Sequence, residues 1–124
     1  MRNDGIKDTQ TAAAEGRLLR ELIDGVQVHE MQNIITRNGI TTEVMRPDWD
    51  VGRLAIKHMI HVTLRPHALS AWHCHHLQTD RIFVIDGTLR IVLFDDREGS
   101  PTKGKLDVLH LSPLRPATIL IPPF

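Results

Sequence analysis

The sequence predicts an all-β sandwich or barrel that is preceded by one short helix. From Val26 onward, apolar residues recur at every second position in several short segments, as in strands with one buried face. Turn residues separate these segments, and the pair Asp86–Gly87 is the strongest turn signal of all. Short strands at this spacing are typical of sandwiches and barrels.

The helix is predicted over residues Thr9 to Asp24. Asp8 or Thr9 can cap its start, three consecutive alanines favour it, and Gly25 ends it. Its apolar stripe consists of Leu18, Leu19, Leu22 and Ile23. We expect this helix to pack on the edge of the domain, and a partner-binding helix is the alternative.

The strands are predicted in order along the rest of the chain. They contain Val26 with Val28, the pair Ile34–Ile35, and the segments Thr41 to Met45, Lys57 to Leu64, Arg81 to Ile85, Thr88 to Phe94, Leu106 to Leu111 and Ala117 to Ile121. Because a two-residue Asp-Gly loop suits a type I′ turn, the two segments beside Asp86–Gly87 are expected to form a hairpin. Residues Asp95 to Gly104 predict a polar loop.

Length and charge restrict the classes of function. The 124 residues fit one domain, 1–124, with the helix over 9–24 and the sandwich over 26–124. Fifteen basic residues balance fifteen acidic ones without a basic stripe, so we expect no nucleic-acid partner. No apolar run approaches about 18 residues, so no membrane span is expected. One cysteine and no signal-peptide core predict a cytoplasmic protein.

The chain closes on an apolar strand followed by two prolines and Phe124. An uncovered strand edge of this kind invites association. We therefore expect that the last strands of the domain lie beyond the sequence or that a neighbouring subunit covers this edge. A homodimer is the corresponding expectation for the assembly.

Three of the eight histidines lie within the four residues His73 to His76. On a strand, His73 and His75 would point to the same side. Asp80 could complete a facial set of two histidines and one carboxylate, which suits Fe(II), Mn(II) or Zn(II). The residues alone leave three interpretations open: a metal site, a metal-free functional pocket, and a stretch without a role.

Neighbouring residues could belong to the same pocket. Trp72 could stack on a base or sugar, and core packing is its alternative role. His61 could face the same cavity if its strand lies beside the histidine segment, and Arg90 is a further candidate. Cys74 is expected to be a buried thiol rather than a nucleophile.

The spacing of His73, His75, Asp80 and Gly87 resembles the first cupin motif, in which the acid is usually Glu. The prolines of "LIPPF" stand where the second cupin motif has its Pro. This resemblance implies a cupin-type double-stranded β-helix, or jelly roll, with a pocket inside the barrel.

A narrower resemblance covers roughly residues 23 to 124. The stretch "DDREGSPTKGKLDVLHLSP…TILIPPF" is similar to the dTDP-4-dehydrorhamnose 3,5-epimerase family, a branch of the cupins. The matching positions are Asp95-Asp96-Arg97, Gly99-Ser100-Pro101-Thr102, Leu111-Ser112 and Ile121-Pro122. The N-terminal "IDGVQVHEMQNIITRNGITTEVMRPD" also resembles the family pattern, with Gly39 and Glu43 at matching separation.

The resemblance implies metal-free chemistry on a nucleotide-linked keto-sugar. The family's Arg-Gly-Leu-His motif falls on residues 70–73, so His73 takes the role of base and His75 that of a substrate-binding glutamine. The family's lysine falls on Asp80 and its orienting aspartate on Ile91. The sequence has no tyrosine for the acid, whose position is either lost or lies past residue 124, and these departures together predict a divergent member.

Three hypotheses result. The first is an epimerase or isomerase of polysaccharide precursor synthesis that needs no cofactor, with His73 as base and a substrate site formed by His75, Trp72, His61 and Arg90. The second is a cupin that binds a divalent transition metal through His73, His75 and Asp80. The third is a non-catalytic cupin that binds sugars.

Overall fold

The computed structural model describes residues 10–16 and 19–123, and apart from one 3₁₀ turn, Asp50–Gly52, its regular structure is β. The strands are β1 Gln27–Glu30, β2 Asn33–Thr36, β3 Gly39–Thr42, β4 Asp80–Phe83, β5 Leu89–Phe94, β6 Leu106–Leu111 and β7 Ala117–Ile121. The all-β class is therefore confirmed. Within the described residues, no helix has the length and apolar character needed to cross a membrane.

The predicted N-terminal helix is wrong wherever the structure describes it, while Thr9, Arg17 and Leu18 lie outside the described residues. The segment instead lies along β6 and the loop before it. The Ile23 backbone N–H donates to Asp107 Oδ2 at 2.8 Å, and the Asp24 N–H donates to Thr102 Oγ1 at 2.9 Å. These long-range bonds occupy amides that a helix would use for its own i→i−4 ladder.

Three antiparallel sheets organise residues 19–123. β1, β7 and β4 form one sheet with β7 in the centre, while β2–β3 and β5–β6 each form a pair. Ile119 on β7 is fully buried, and its partners across the sheet are Val28 and Ile82. Leu109 and Leu111 of β6 complete the same core. The three-stranded sheet and the β5–β6 pair thus share one hydrophobic core.

The hairpin predicted around Asp86–Gly87 is wrong in its pairing. β4 pairs with β7, and β5 pairs with β6, so the turn carries the chain from one sheet to the other. Gly87 has a φ of 73°, a left-handed conformation that suits glycine. The turn signal was correct, but the two strands beside it belong to different layers.

The other strand predictions had mixed outcomes. Leu106–Leu111 and Ala117–Ile121 are strands with the predicted bounds. The strand predicted over Lys57 to Leu64 is wrong, because residues 53–79 contain no strand. Ile60 and Val62 in that segment are 68% and 61% exposed. In the described part of the chain, no sheet covers the apolar face of this segment.

The second face of the three-stranded sheet is covered by residues 44–54. Thr118 is 1% exposed and points to this face, where its hydroxyl donates to the Val44 carbonyl at 3.3 Å. Arg81 Nη2 donates to the carbonyls of Val51 at 2.5 Å and Leu54 at 3.1 Å. Side-chain hydrogen bonds from β4 and β7 therefore fix the loop that contains the 3₁₀ turn.

Candidate functional site

His73 lies in the irregular, exposed segment that leads to β4. Its Nε2 is 2.8 Å from Ser70 Oγ, three residues earlier. The hydroxyl can accept a hydrogen bond from the ring or donate one to it, depending on the tautomer. This contact fixes the orientation of an imidazole that remains accessible to a ligand.

Asp80 and His75 form the second part of the histidine cluster. Asp80 begins β4 opposite Ile121 and shares the core-side face with Ile82, because side chains two apart on a strand point the same way. His75 Nε2 lies 3.6 Å from Asp80 Oδ2, a separation longer than a hydrogen bond. Gln78 Nε2 donates to Asp80 Oδ1 at 2.7 Å. The carboxylate is therefore held at the end of the core layer, next to an imidazole.

The cluster does not close into a three-residue ligand set. His73 contacts Ser70, whereas His75 approaches Asp80. In residues 10–16 and 19–123, no group of three or more His, Cys, Asp or Glu side chains is placed to hold a metal ion. The histidines also do not line an enclosed hollow: residues 74–78 surround a shallow, open depression.

The remaining predicted site residues are spread over the surface. Trp72 is 72% exposed, and His61 is exposed in the same irregular region. Arg90 lies opposite His110 on the outer face of the β5–β6 pair, pointing away from the core. Cys74 was expected to be buried and is exposed. Trp72 therefore lies beside His73 only because the two residues are neighbours in sequence. Arg90 lies on the face of β5 that points away from the core.

Ile91 and Arg90 point to opposite faces of β5, because side chains alternate along a strand. Ile91 packs against the core with Leu89 and Leu93, so the apolar residue at the family's aspartate position is a core residue here. An aspartate at that position would place its carboxylate among apolar core side chains, which costs free energy unless a partner compensates it. The structure thus explains why the substitution by isoleucine fits this fold.

Asp95 is the centre of a polar cluster that the sequence showed only as a family motif. Its side chain is fully buried and pairs with Arg97 through Nε–Oδ1 and Nη2–Oδ2, both at 2.9 Å. The hydroxyls of Ser100 and Thr102 donate to Oδ2 at 2.6 Å each. Hydrogen bonds to the charged form, above all from Arg97, hold the pKa of the Asp95 carboxyl well below its usual range.

This cluster connects the β5–β6 loop to the segment before β1. Arg97 Nη2 donates to the Asp24 carbonyl at 2.7 Å, and Thr102 accepts from the Asp24 amide. Gly25 follows with a φ of 81°, and a Cβ there would lie 3.0 Å from Pro122. Residues of the Asp-x-Arg and Gly-Ser-Pro-Thr motifs therefore stabilise the folded chain, because they join two parts of it that are more than 70 residues apart in sequence.

Two curated relatives align with most of the chain. A protein named "Probable low-salt glycan biosynthesis epimerase" from Haloferax volcanii is 32% identical over 101 residues, which is 81% of this chain and 65% of the relative. The spore coat polysaccharide biosynthesis protein SpsL of Bacillus subtilis is 32% identical over 104 residues, or 82% of this chain and 66% of the relative. The chain thus spans just under two thirds of the length of each.

A solved structure has a similar fold over most of this chain. The crystal structure of a dTDP sugar isomerase from Desulfovibrio desulfuricans G20 superposes with a TM-score of 0.72 at 30% identity, over 82% of this chain and 64% of the isomerase. No family model matches the chain. The similarity to both relatives and to the solved structure extends over about four fifths of this chain and is consistent with a member of the dTDP-sugar epimerase family.

Proposed function

We propose that this protein is a cupin-type epimerase or isomerase of a nucleotide-linked keto-sugar, with His73 as the catalytic base. The observation that carries the proposal is the 30% identity and TM-score of 0.72 to a solved dTDP sugar isomerase. The two curated relatives, one named as a glycan biosynthesis epimerase, support a place in polysaccharide precursor synthesis. The single cysteine favours the cytoplasm as the compartment.

The proposed step is proton transfer next to the keto group. In the tautomer that we propose, the His73 ring donates its Nε2–H to Ser70 Oγ, which leaves the Nδ1 lone pair to accept a proton. The C–H bond next to the carbonyl breaks, its proton moves to Nδ1, and its electron pair forms the enolate. Return of a proton to the opposite face of the carbon completes the inversion. Solvent supplies this second proton in the proposed scheme.

The enolate needs positive charge or donors near its oxygen. Asp80 stands at the position of the family's lysine, and its carboxylate alone would repel the negative charge on the enolate oxygen. His75 Nε2 lies 3.6 Å from this carboxylate, and the imidazole can donate a hydrogen bond to the enolate oxygen. We therefore assign His75 and Asp80 to one functional pair, with Trp72 and His61 as candidate contacts to the sugar or the base.

The assembly that we propose is a homodimer. The β2–β3 hairpin exposes Ile35 at 80% and Ile40 at 65%, although both residues face each other across the pair. An apolar hairpin of this kind is stabilised when a second copy of the chain covers it. The metal-binding alternative through His73, His75 and Asp80 is tested by the metal content of the protein.

Hydrogen exchange tests the proposed activity. The protein is incubated with dTDP-4-keto-6-deoxyglucose in deuterated water, and the sugar is followed by NMR. We expect deuterium to enter at C3, at C5 or at both. No exchange above the rate without protein would overturn the proposal for this substrate.

A further inference from the structure

A half-open cleft of about 330 Å³ lies on the side of the sheet that residues 44–54 cover. Trp49 and His29 form one wall, with ring centroids 4.3 Å apart and planes tilted by 32°. Glu30 and Glu43 also line the cleft, together with the buried Met31. None of these residues belongs to the histidine segment or contacts the depression around residues 74–78.

The Trp49 wall is held in place by the sheet and by the loop before it. His29 lies directly opposite Thr118 in the β1–β7 register, and Thr118 bonds the Val44 carbonyl on the same face. Arg46 then fastens the loop, because it donates to Glu43 and through two nitrogens to Asp48. The tryptophan is therefore held by a constrained loop and is partly buried.

The charges around the cleft are paired. Arg115 Nη2 bonds both carboxylate oxygens of Glu30, at 3.0 and 3.1 Å, and Arg46 pairs with Glu43 at 3.1 Å. Each pair places carboxylate acceptors next to guanidinium donors, and its net charge is zero. A phosphate would meet two carboxylates here, whereas sugar hydroxyls can use both partners of each pair. The aromatic wall is suited to the apolar face of a sugar ring.

We infer that this cleft is a saccharide subsite, which takes one neutral, hydroxyl-rich sugar ring against Trp49. Its volume is at the lower end of the range of small-molecule sites, enough for a single ring. Glu30 and Glu43 accept bonds from the hydroxyls, and their arginine partners donate to the ring or exocyclic oxygens. The inference does not rest on the proposed epimerase activity, because it requires binding and no turnover.

NMR titration of the Trp49 indole N–H tests the inference. The chain contains two tryptophans, so Trp72→Phe leaves Trp49 as the only indole signal. The probes are methyl α-D-glucopyranoside, methyl α-L-rhamnopyranoside, thymidine and dTDP. We expect at least one neutral glycoside to shift the Trp49 signal with a Kd on the order of 1 mM. In the chain that retains Trp72, Trp49→Ala should weaken this binding at least about tenfold, as measured by saturation transfer to the glycoside.

A matched pair of carboxylate variants separates the cleft from the general surface. Glu30→Gln should weaken glycoside binding, while Asp50→Asn, in an exposed pair with Arg53 outside the cleft, should leave it unchanged. His73→Gln should also bind normally, which distinguishes this site from the proposed catalytic one. The inference is overturned if no glycoside shifts the indole up to about 10 mM. It is equally overturned if Trp49→Ala binds as well as the parent, or if only thymidine or dTDP shifts the signal.

Discussion

Arg97 holds the fully buried carboxylate of Asp95 by two parallel N–H···O bonds, each 2.9 Å long. The same guanidinium reaches across to the Asp24 carbonyl, so the ion pair also attaches the segment before β1 to the β5–β6 loop. Two-point pairing fixes the direction of both side chains, which a lysine could not do. The pair raises the pKa of Arg97 and lowers that of Asp95, as expected when each stabilises the other's charge.

Replacing Asp95 by Asn should strongly destabilise the fold. The variant leaves Arg97 without its counter-charge and loses the acceptor of two hydroxyls, and removing one partner of a buried pair costs about 3 kcal/mol. Urea unfolding measures the loss. Asp96→Asn, at the exposed neighbouring position, is the control and should change the free energy of unfolding by less than about 0.5 kcal/mol. Equal effects of the two substitutions would show that the cluster contributes nothing specific.

Stability should also depend on pH through Asp95. Its pKa is lower in the folded chain than in the unfolded chain, where it is about 3.9. The contribution of this carboxylate is therefore fully present above the unfolded pKa and is lost as the pH falls below it. We expect the free energy of unfolding to fall more steeply with acid between about pH 4 and pH 2 in the parent than in Asp95→Asn. Parallel curves for the two proteins would contradict this assignment.

Local patterns predicted β6 and β7 with the bounds that the structure has. β6 alternates Leu106, Val108 and His110 with Asp107, Leu109 and Leu111, and β7 is a short apolar run before two prolines. Both strands have partners on a shared core, so their patterns and their structures agree. Lys57 to Leu64 alternates equally well but pairs with no strand in the described residues. Alternation reports the capacity to form a strand, and pairing decides whether one forms.

The N-terminal prediction failed for a tertiary reason. Alanines at positions 12–14 favour a helix by propensity, yet the later part of the segment bonds Asp107 and Thr102 by its backbone, more than 70 residues away in sequence. Long-range bonds of this kind override local propensity and leave no periodic signal. The contact between Ser70 and His73 and the pairing of Asp95 with Ser100 are local in sequence. They could still be located only in the structure, because side-chain contacts in irregular segments leave no periodic signal.

Ser70 is expected to act through His73. Ser70→Ala removes the partner of Nε2, so the ring loses the bond that selects its tautomer. We expect kcat to fall by about tenfold, with a changed pH profile and little change in KM. His75→Gln should lower kcat as well, because Asp80 would then face the enolate alone. If Ser70→Ala kept the parent's kcat and pH profile, the proposed orientation of the base would be wrong.

Metal removal should leave the activity intact. The proposed step uses only His73 and its neighbours, and His73, His75 and Asp80 do not come together as a ligand set. Protein purified without an affinity tag should contain less than about a tenth of an equivalent of any transition metal. Treatment with EDTA should not change the rate of exchange. A stoichiometric metal that is lost from His75→Gln, together with the activity, would favour the metal-binding hypothesis.

The apolar hairpin provides a test of the assembly. Ile35→Ser and Ile40→Ser together should shift the protein from dimer to monomer, because both side chains lie on the exposed pair β2–β3. Leu114→Ser, at a position that is 91% exposed outside this hairpin, is the control. Sedimentation equilibrium measures the mass. A parent that is monomeric at high concentration would contradict the dimer.

The central claim is that His73 removes the proton from the keto-sugar. Solvent deuterium exchange by two histidine variants tests it most directly. His110 is exposed on the outer face of β6, so His110→Gln should exchange deuterium into the keto-sugar at about the rate of the parent. His73→Gln should retain the fold and lower that rate at least about 100-fold, as expected for the loss of a general base. A His73→Gln protein that exchanges at the parent's rate would show that another group removes the proton.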